Sequence, residues 1–163
     1  MAKKLILDAC CGGRQIWFIK KEPHTIYMDI RLEPKGTIAL QPNWCVEPDM
    51  IADYRELPFK DKAFKLIVWD IPHILSKKNK SIIQKKYGQL DDTYKKDLST
   101  AFNELWRVLE DYGILEFKYA DVSIPVKKML KLFPIEPLFG TPTKKGVNNT
   151  FWFCFMKIPE GDA

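Results

Sequence analysis

Residues 65–73, KLIVWDIPH, contain a nearly continuous apolar run that ends on an acid. A run of this kind is typical of a central strand in a parallel sheet, because such a strand is buried on both faces. The acid is Asp70, and Ile71, Pro72 and His73 follow it directly. We therefore predict a buried strand that delivers a carboxylate to the edge of a sheet.

Three other short apolar runs end on an acid in the same way: KLILDA with Asp8, TIYMD with Asp29 and MIAD with Asp53. The carboxyl ends of parallel strands meet at one edge of a sheet, which is where ligands bind in open α/β folds. One such acid would be explained as a helix cap, but four in equivalent positions favour a binding site. The sequence therefore predicts that these carboxylates surround a ligand.

Helical patterns separate the apolar runs. The predicted helices cover residues 15–20, residues 92–110, with Asp92 as the cap and Gly113 as the end, and a segment that opens at 123–125 and stops before Pro134. A fifth strand is predicted over 114–119, and strands 135–139 and 151–156 would form a terminal hairpin. This alternation predicts an α/β sheet that is parallel except at one edge.

Small residues follow the first acid, in the order Ala9, Cys10, Cys11, Gly12 and Gly13. Glycines after a strand allow the backbone to approach a ligand closely, although a tight strand–helix turn alone would also explain them. Asp29 lies 16 residues after Gly13, close to the ~20 residues at which nucleotide-binding sheets place a ribose-binding acid.

The chain has 163 residues and a mass of 19.1 kDa, which predicts one domain over 1–163 without a separate recognition domain. No apolar run reaches the ~20 residues that a membrane helix needs. The four cysteines match neither a disulfide framework nor a metal site, so we expect a reduced, cytoplasmic protein without a metal. The net charge of +5 permits a polyanionic partner without requiring one.

Six pieces of the chain, in this order and spacing, resemble the small class I S-adenosylmethionine-dependent methyltransferases of phages and prophages: LDACCGG, IYMD, IADYRELPF, FKLIVWDIPH, LWRVLEDYGILEFK and PLFGTPTKKG…TFWFCFMK. The resemblance covers almost the full length. It implies a Rossmann-like, seven-stranded, mostly parallel sheet with strand order 3-2-1-4-5-7-6 and helices on both faces. It also implies S-adenosylmethionine as cofactor and S-adenosylhomocysteine as product.

The resemblance assigns cofactor contacts by position. The methionine part would meet residues of the first loop, Asp29 would hold the ribose hydroxyls, and Asp53 would bind the adenine amino group with Tyr54 beside it. The first-loop residues implied are Asp8, Ala9, Cys10, Cys11 and Gly12. Cys10 departs from the family pattern, because it occupies the position of a glycine.

The DIPH segment stands where amino-methyltransferases carry an Asp/Asn-Pro-Pro-aromatic motif. The lone pair of an exocyclic amine on adenine is delocalised into the ring, so two acceptors for its hydrogens would localise that pair toward the methyl group. Asp70 and the carbonyl of Ile71 would be these acceptors, Pro72 would fix the turn, and His73 would stack on the base. Ile71 replaces a proline and His73 replaces an aromatic residue, so His73 would either stack, transfer a proton, or simply begin a helix.

A lysine-rich stretch follows this segment, and a second lysine pair lies in the predicted terminal hairpin loop. The lysines are Lys77, Lys78, Lys80, Lys85, Lys86, Lys144 and Lys145. They would neutralise the phosphates of DNA or RNA beside a flipped-out or single-stranded base, unless they form only a solvated helix face. The leading hypothesis is an N6-adenine methyltransferase acting on nucleic acid, with or without a recognition partner protein. The alternatives are a methyltransferase for a small molecule or a protein amide, and a catalytically weak protein that only binds S-adenosylmethionine or a partner.

Overall fold

Seven strands form one sheet in the computed structural model, which describes residues 2–75, 81–141 and 150–162. The strands are β1 (Ile6–Asp8), β2 (Thr25–Asp29), β3 (Met50–Ile51), β4 (Phe64–Asp70), β5 (Leu109–Ala120), β6 (Phe139–Gly140) and β7 (Thr150–Met156). Their order is β3-β2-β1-β4-β5-β7-β6. β1 to β5 pair in parallel, and β7 runs antiparallel to β5 and β6. The predicted strand order and the single antiparallel edge are confirmed.

Three α-helices are described: α1 (Ile82–Tyr87), α2 (Tyr94–Val108) and α3 (Val126–Leu130), and a short 3-10 helix, Glu160–Asp162, follows β7. α1 begins with a reciprocal cap, in which Ser81 accepts from the backbone N–H of Gln84 and Gln84 accepts from that of Ser81. It ends at Gly88, whose φ of +79° favours glycine. The sequence prediction did not include this helix.

The core lies where α2 and α3 pack on the central strands, and it is rich in aromatic rings. Phe133, which follows α3, packs 4.7 Å from Phe102 of α2 and 5.1 Å from Phe117 of β5, measured between ring centroids. Trp69 lies 5.1 Å from Phe117 and is fully buried. These contacts fix the end of β4, so they also fix the position of Asp70 at the edge of the sheet.

The predicted helix over residues 15–20 is wrong, because this segment forms a series of turns instead. Side chains account for the difference. The Arg14 guanidinium donates to the carbonyls of Lys20 and Glu47, and the Lys20 ammonium donates back to the carbonyl of Arg14. Trp17 points inward and packs edge-on against Tyr27 at 5.1 Å. The side chains of Arg14 and Lys20 thus provide hydrogen bonds to backbone carbonyls that the hydrogen bonds of a helix would otherwise supply.

The long helix was predicted with the wrong ends. The cap residue is Thr93 and not Asp92, and the chain passes directly from Val108 into β5. Gly113 therefore lies inside a strand and does not end the helix. Sheet pairing explains this, because Leu109 pairs with Phe64 and the Gly113 carbonyl accepts from the N–H of Lys157. At the other edge, only Phe139 of the predicted strand 135–139 belongs to β6.

Gly113 generates a test of this packing. A β-carbon at this position would lie 2.7 Å from the side chain of Leu109 and 2.9 Å from the carbonyl oxygen of Glu110. We expect Gly113→Ala to lower the free energy of unfolding by about 1–3 kcal/mol, since the neighbours are buried or part of the backbone. Denaturant unfolding measures this. Gly161→Ala is the matched control, because nothing lies within 4 Å of its added carbon; equal stability of the two variants would contradict the packing described.

Candidate functional site

A cleft of about 480 Å³ opens at the carboxyl ends of the first three strands. α1, the start of α2 and the segment between them form its opposite wall. The strand side contributes Ala9, Cys10, Asp29, Arg31, Asp53 and Tyr54, and the other side contributes Pro72, Gln84, Gly88, Leu90, Tyr94 and Leu98, among others. A cleft of this volume, which combines apolar surface with several charged side chains, suits a small polar organic ligand.

Asp29 lies at the base of the cleft and is only 1% exposed. Its Oδ2 accepts from the backbone N–H of Gly12 at 2.9 Å. Its Oδ1 accepts from the backbone N–H of Arg31 at 3.0 Å and from Nε of the same residue at 3.1 Å. A ligand hydroxyl can reach this carboxylate only by replacing one of these donors. The Arg31 guanidinium is the donor that belongs to a side chain and not to the backbone, so it is the one that can be displaced without moving the main chain.

The first loop supplies the donor to Asp29 through a left-handed turn. Gly12 has a φ of +47°, which favours glycine. In the described chain Cys10 is not among the residues with positive φ, so the turn accommodates a cysteine at this position without backbone strain. Burial raises the pKa of the Cys10 thiol well above its usual value, so the thiol stays neutral.

Asp53 follows β3 and forms a second acid–arginine unit. It accepts from the backbone N–H of Arg55 at 2.8 Å and from its guanidinium at 2.6 Å. These hydrogen bonds lower the pKa of Asp53 and keep it ionised. Arg55 also pairs with Asp97 of α2 at 3.1 Å. Tyr54 borders the cleft and packs edge-on against Trp69 at 5.9 Å.

Asp8 lies beneath the cleft rather than on its surface. It is 1% exposed, and its oxygens accept from the Trp17 indole N–H at 2.6 Å and from the Cys10 backbone N–H at 3.3 Å. Burial raises its pKa to about 7. Cys11 is buried as well, and Gly12 faces a second, neighbouring depression. The contacts predicted for Asp8, Cys11 and Gly12 with the methionine part of a cofactor stay predictions.

The DIPH segment lies at the end of β4, next to the cleft. The Asp70 carboxylate accepts from the Lys118 ammonium at 2.6 Å. Ile71 is buried in the core, and Pro72 lines the cleft. His73 lies 5.9 Å from the ring of Tyr87, and burial lowers its pKa. A neutral imidazole at this position can stack on a planar ligand.

Two of the predicted lysines fall within the described residues. Lys85 lines the cleft, and the Lys86 ammonium lies 5.3 Å from the centre of the Tyr87 ring. The backbone carbonyls of both accept from Arg31, at 3.4 Å and 3.3 Å. The others lie outside the described residues: Lys77, Lys78, Lys80, Lys144 and Lys145.

Sequence reasoning missed three charged residues of the site. Arg31 and Arg55 each stand two positions after a strand-end acid, and this repeated Asp-x-Arg spacing was a usable signal. Lys118 had no such signal, because only the register of β4 on β5 brings it opposite Asp70. Within the described ranges, no cluster of His, Cys, Asp or Glu could hold a metal ion, and no helix is long and apolar enough to cross a membrane.

The raised pKa of Asp8 predicts a pH-dependent stability. The folded protein binds this proton more tightly than the unfolded chain does, so stability is lost as pH rises from about 4 toward 7. Asp8→Asn removes this loss. Its free energy of unfolding, relative to the wild type, should therefore increase over that range by at most about 1.4 kcal/mol per pH unit. Denaturant titrations at several pH values measure it, and a difference that does not change with pH would contradict the burial described.

No family model and no curated protein matches the chain. Solved structures do. A SAM-dependent methyltransferase from Methanosarcina mazei matches with a TM-score of 0.56 at 14% identity, over 98% of this chain and 95% of that one. The PH0226 protein of Pyrococcus horikoshii OT3 matches with a TM-score of 0.54 at 15% identity, over 97% and 83%. The [4+2]-cyclase SpnF matches with a TM-score of 0.50 at 15% identity, over 86% and 53%. The chain thus shares the Rossmann-like fold of a SAM-dependent methyltransferase.

Proposed function

We propose that the protein is an S-adenosylmethionine-dependent methyltransferase that acts on an exocyclic amino group of a nucleic-acid base in DNA or RNA. The acceptor that we favour is N6 of adenine. The observation that carries this proposal is the arrangement at one sheet edge. The cleft contains two strand-end acids, Asp29 and Asp53, that could bind an adenosine. It adjoins the DIPH segment with Asp70 and His73, because Pro72 of that segment is part of the cleft wall.

The described residues fit the adenosine part of the cofactor. Ribose hydroxyls would bind Asp29 in exchange for the Arg31 guanidinium, and the ionised Asp53 is an acceptor for the adenine amino group. Tyr54, Pro72 and Leu90 give the cleft apolar surface on which a purine can lie. Ala9 and Cys10, which line the cleft and follow the buried Asp8, would meet the methionine part of the cofactor.

Bound S-adenosylmethionine would supply an electrophilic methyl group. The nitrogen lone pair of the acceptor would form the new N–C bond as the S–C bond breaks with its electrons on sulfur, and the methylated nitrogen would then lose its extra proton to water. Asp70 and the Ile71 carbonyl would accept the two amino hydrogens and so localise the lone pair. The neutral His73 would stack on the base. A base in a duplex hides this nitrogen, so the substrate base would be flipped out or single-stranded.

The positive charge of the chain supports a polymeric acceptor. Lys85 and Lys86 place two ammonium groups on the helix that covers the cleft, and the net charge is +5. Charges of this kind bind phosphates without reading sequence. The lysines outside the described residues would extend this surface, and a recognition partner protein would add sequence preference.

A second candidate is a protein with the same fold and a different reaction. SpnF is a [4+2]-cyclase and shares the fold, so this sheet also occurs in a protein with another activity. Under this alternative the chain would act on a small molecule or a protein amide, or only bind its ligand.

Transfer of tritiated methyl groups distinguishes these candidates. The wild-type protein is incubated with labelled S-adenosylmethionine and either duplex DNA, single-stranded DNA, RNA or no polymer. We expect label in a polymer, and we expect Asp70→Ala to lower the rate by about 100-fold or more, since it removes an acceptor aimed at the reacting nitrogen.

Calorimetric titration with S-adenosylhomocysteine is the control for the folding of Asp70→Ala, which should bind the product as the wild type does. Asp61→Ala, which removes an exposed carboxylate far from the cleft, should retain full transfer. Wild-type protein that binds S-adenosylhomocysteine but labels no polymer would contradict the proposed acceptor and favour the second candidate.

A further inference from the structure

The strand register places three side chains in a row at the carboxyl edge of the sheet. Asp70 of β4 pairs with Lys118 of β5, and Lys118 pairs with Trp152 of β7. Directly paired residues in neighbouring strands project to the same face. The Lys118 ammonium therefore lies between a carboxylate, at 2.6 Å, and an indole ring, whose centre is 6.0 Å away.

The pair formed by Lys118 and Asp70 is partly buried, and its lysine is much less exposed than that of a comparable pair. The side chains of Lys118 and Asp70 are 22% and 27% exposed, whereas the Lys65–Glu110 pair at the other end of the same two strands is 59% and 31% exposed. A charge-assisted hydrogen bond with reduced solvent access holds its geometry better than a surface pair does. The bond uses Oδ2 of Asp70, and within the described ranges Oδ1 receives no hydrogen bond from the protein.

We propose that Lys118 is a positioning residue of the methyl-acceptor site: it holds one oxygen of Asp70 so that the other faces the amino group of the acceptor. The inference rests on the proposed function. In this arrangement the Asp70 carboxylate cannot rotate freely. The amino group of the substrate base would therefore donate its hydrogen to an Asp70 oxygen whose direction is fixed.

Lys118 also acts on the charge of Asp70. Burial raises the pKa of this carboxyl group, while Lys118 and His73 lower it. On the side of β1, the Asp8 carboxyl group interacts electrostatically with Asp70, whereas the Cys10 thiol stays neutral. A protonated Asp70 would be a weaker acceptor. Without Lys118, the pKa of Asp70 rises further, so the site would need a higher pH to work.

Trp152 makes the position of the ammonium more definite. It is 37% exposed, and it is paired with Lys118 from β7, on the side of β5 opposite to Asp70. The distance of 6.0 Å is at the outer limit of a cation–π contact. The ring therefore acts mainly by occupying space, which leaves Asp70 as the strong partner of the ammonium.

The test compares Lys118→Met, Lys118→Arg and Lys65→Met with the wild type in the methyl-transfer assay, on the polymer that the wild type labels. Met keeps most of the side-chain volume and removes the charge. Lys65→Met is the matched control, because it breaks a lysine–carboxylate pair between the same two strands, with an N–O distance of 2.5 Å, far from the cleft.

We expect Lys118→Met to lower kcat by about tenfold or more and to leave the affinity for S-adenosylhomocysteine unchanged in calorimetry. The acidic limb of its pH–rate profile should move up by about one pH unit, which is a change that a merely structural role would not produce. Lys118→Arg should restore the pH profile. Carboxyl NMR of Asp70 should show the same displacement of its titration without any turnover.

Two results would overturn the inference, and they are distinguishable. If the wild type transfers methyl groups and Lys118→Met does so with the same kcat and pH profile, Lys118 is not a positioning residue, although the proposed function stands. If the wild type transfers no methyl group to any acceptor, the proposed function fails, and the role of Lys118 in transfer fails with it.

Discussion

The carboxylate of Asp29 lies where the loop after β1, the end of β2 and the end of α1 meet. A buried carboxylate is destabilising unless donors surround it. Gly12 and Arg31 provide these donors, and each imposes a further constraint. Gly12 must adopt a left-handed conformation to aim its N–H, and the Arg31 guanidinium continues to the carbonyls of Lys85 and Lys86. One buried charge thus determines the shape of the first loop and ties the covering helix to the sheet.

Asp53 repeats this arrangement one strand further out, with Arg55 connecting it to α2 through Asp97. The Asp29–Arg31 unit joins the end of β2 to α1, and the Asp53–Arg55 unit joins the end of β3 to α2. The cleft lies between these two connections. Under the proposed function, the hydroxyl groups of a ribose would compete with an arginine that is already in place. Binding of that ribose would then be coupled to the position of α1 through Arg31.

Much of the fold was predictable from local patterns. Apolar runs that end on acids indicated the parallel strands and their common edge. Of the four strand-end acids, Asp29 and Asp53 line one cleft, whereas Asp8 is buried and Asp70 is not part of the lining. The failures have a common cause, which is that long-range contacts outweighed local preference. Trp17 turned inward to Asp8 and the predicted first helix did not form. Lys118 and Asp70 are 48 positions apart in the sequence. Only the register of β4 on β5 brings them together, so the sequence could not link them.

Binding of S-adenosylhomocysteine tests the central claim, that the cleft above Asp29 holds the adenosine of the cofactor, most directly. Calorimetry should give one binding site per wild-type chain. Asp29→Asn should weaken binding by about tenfold or more, since it replaces a charged acceptor of ribose hydroxyls by a neutral one. Asp61→Asn, on the exposed surface, should bind as the wild type does. An absence of binding to the wild type, or equal binding by the well-folded Asp29→Asn variant, would contradict the account.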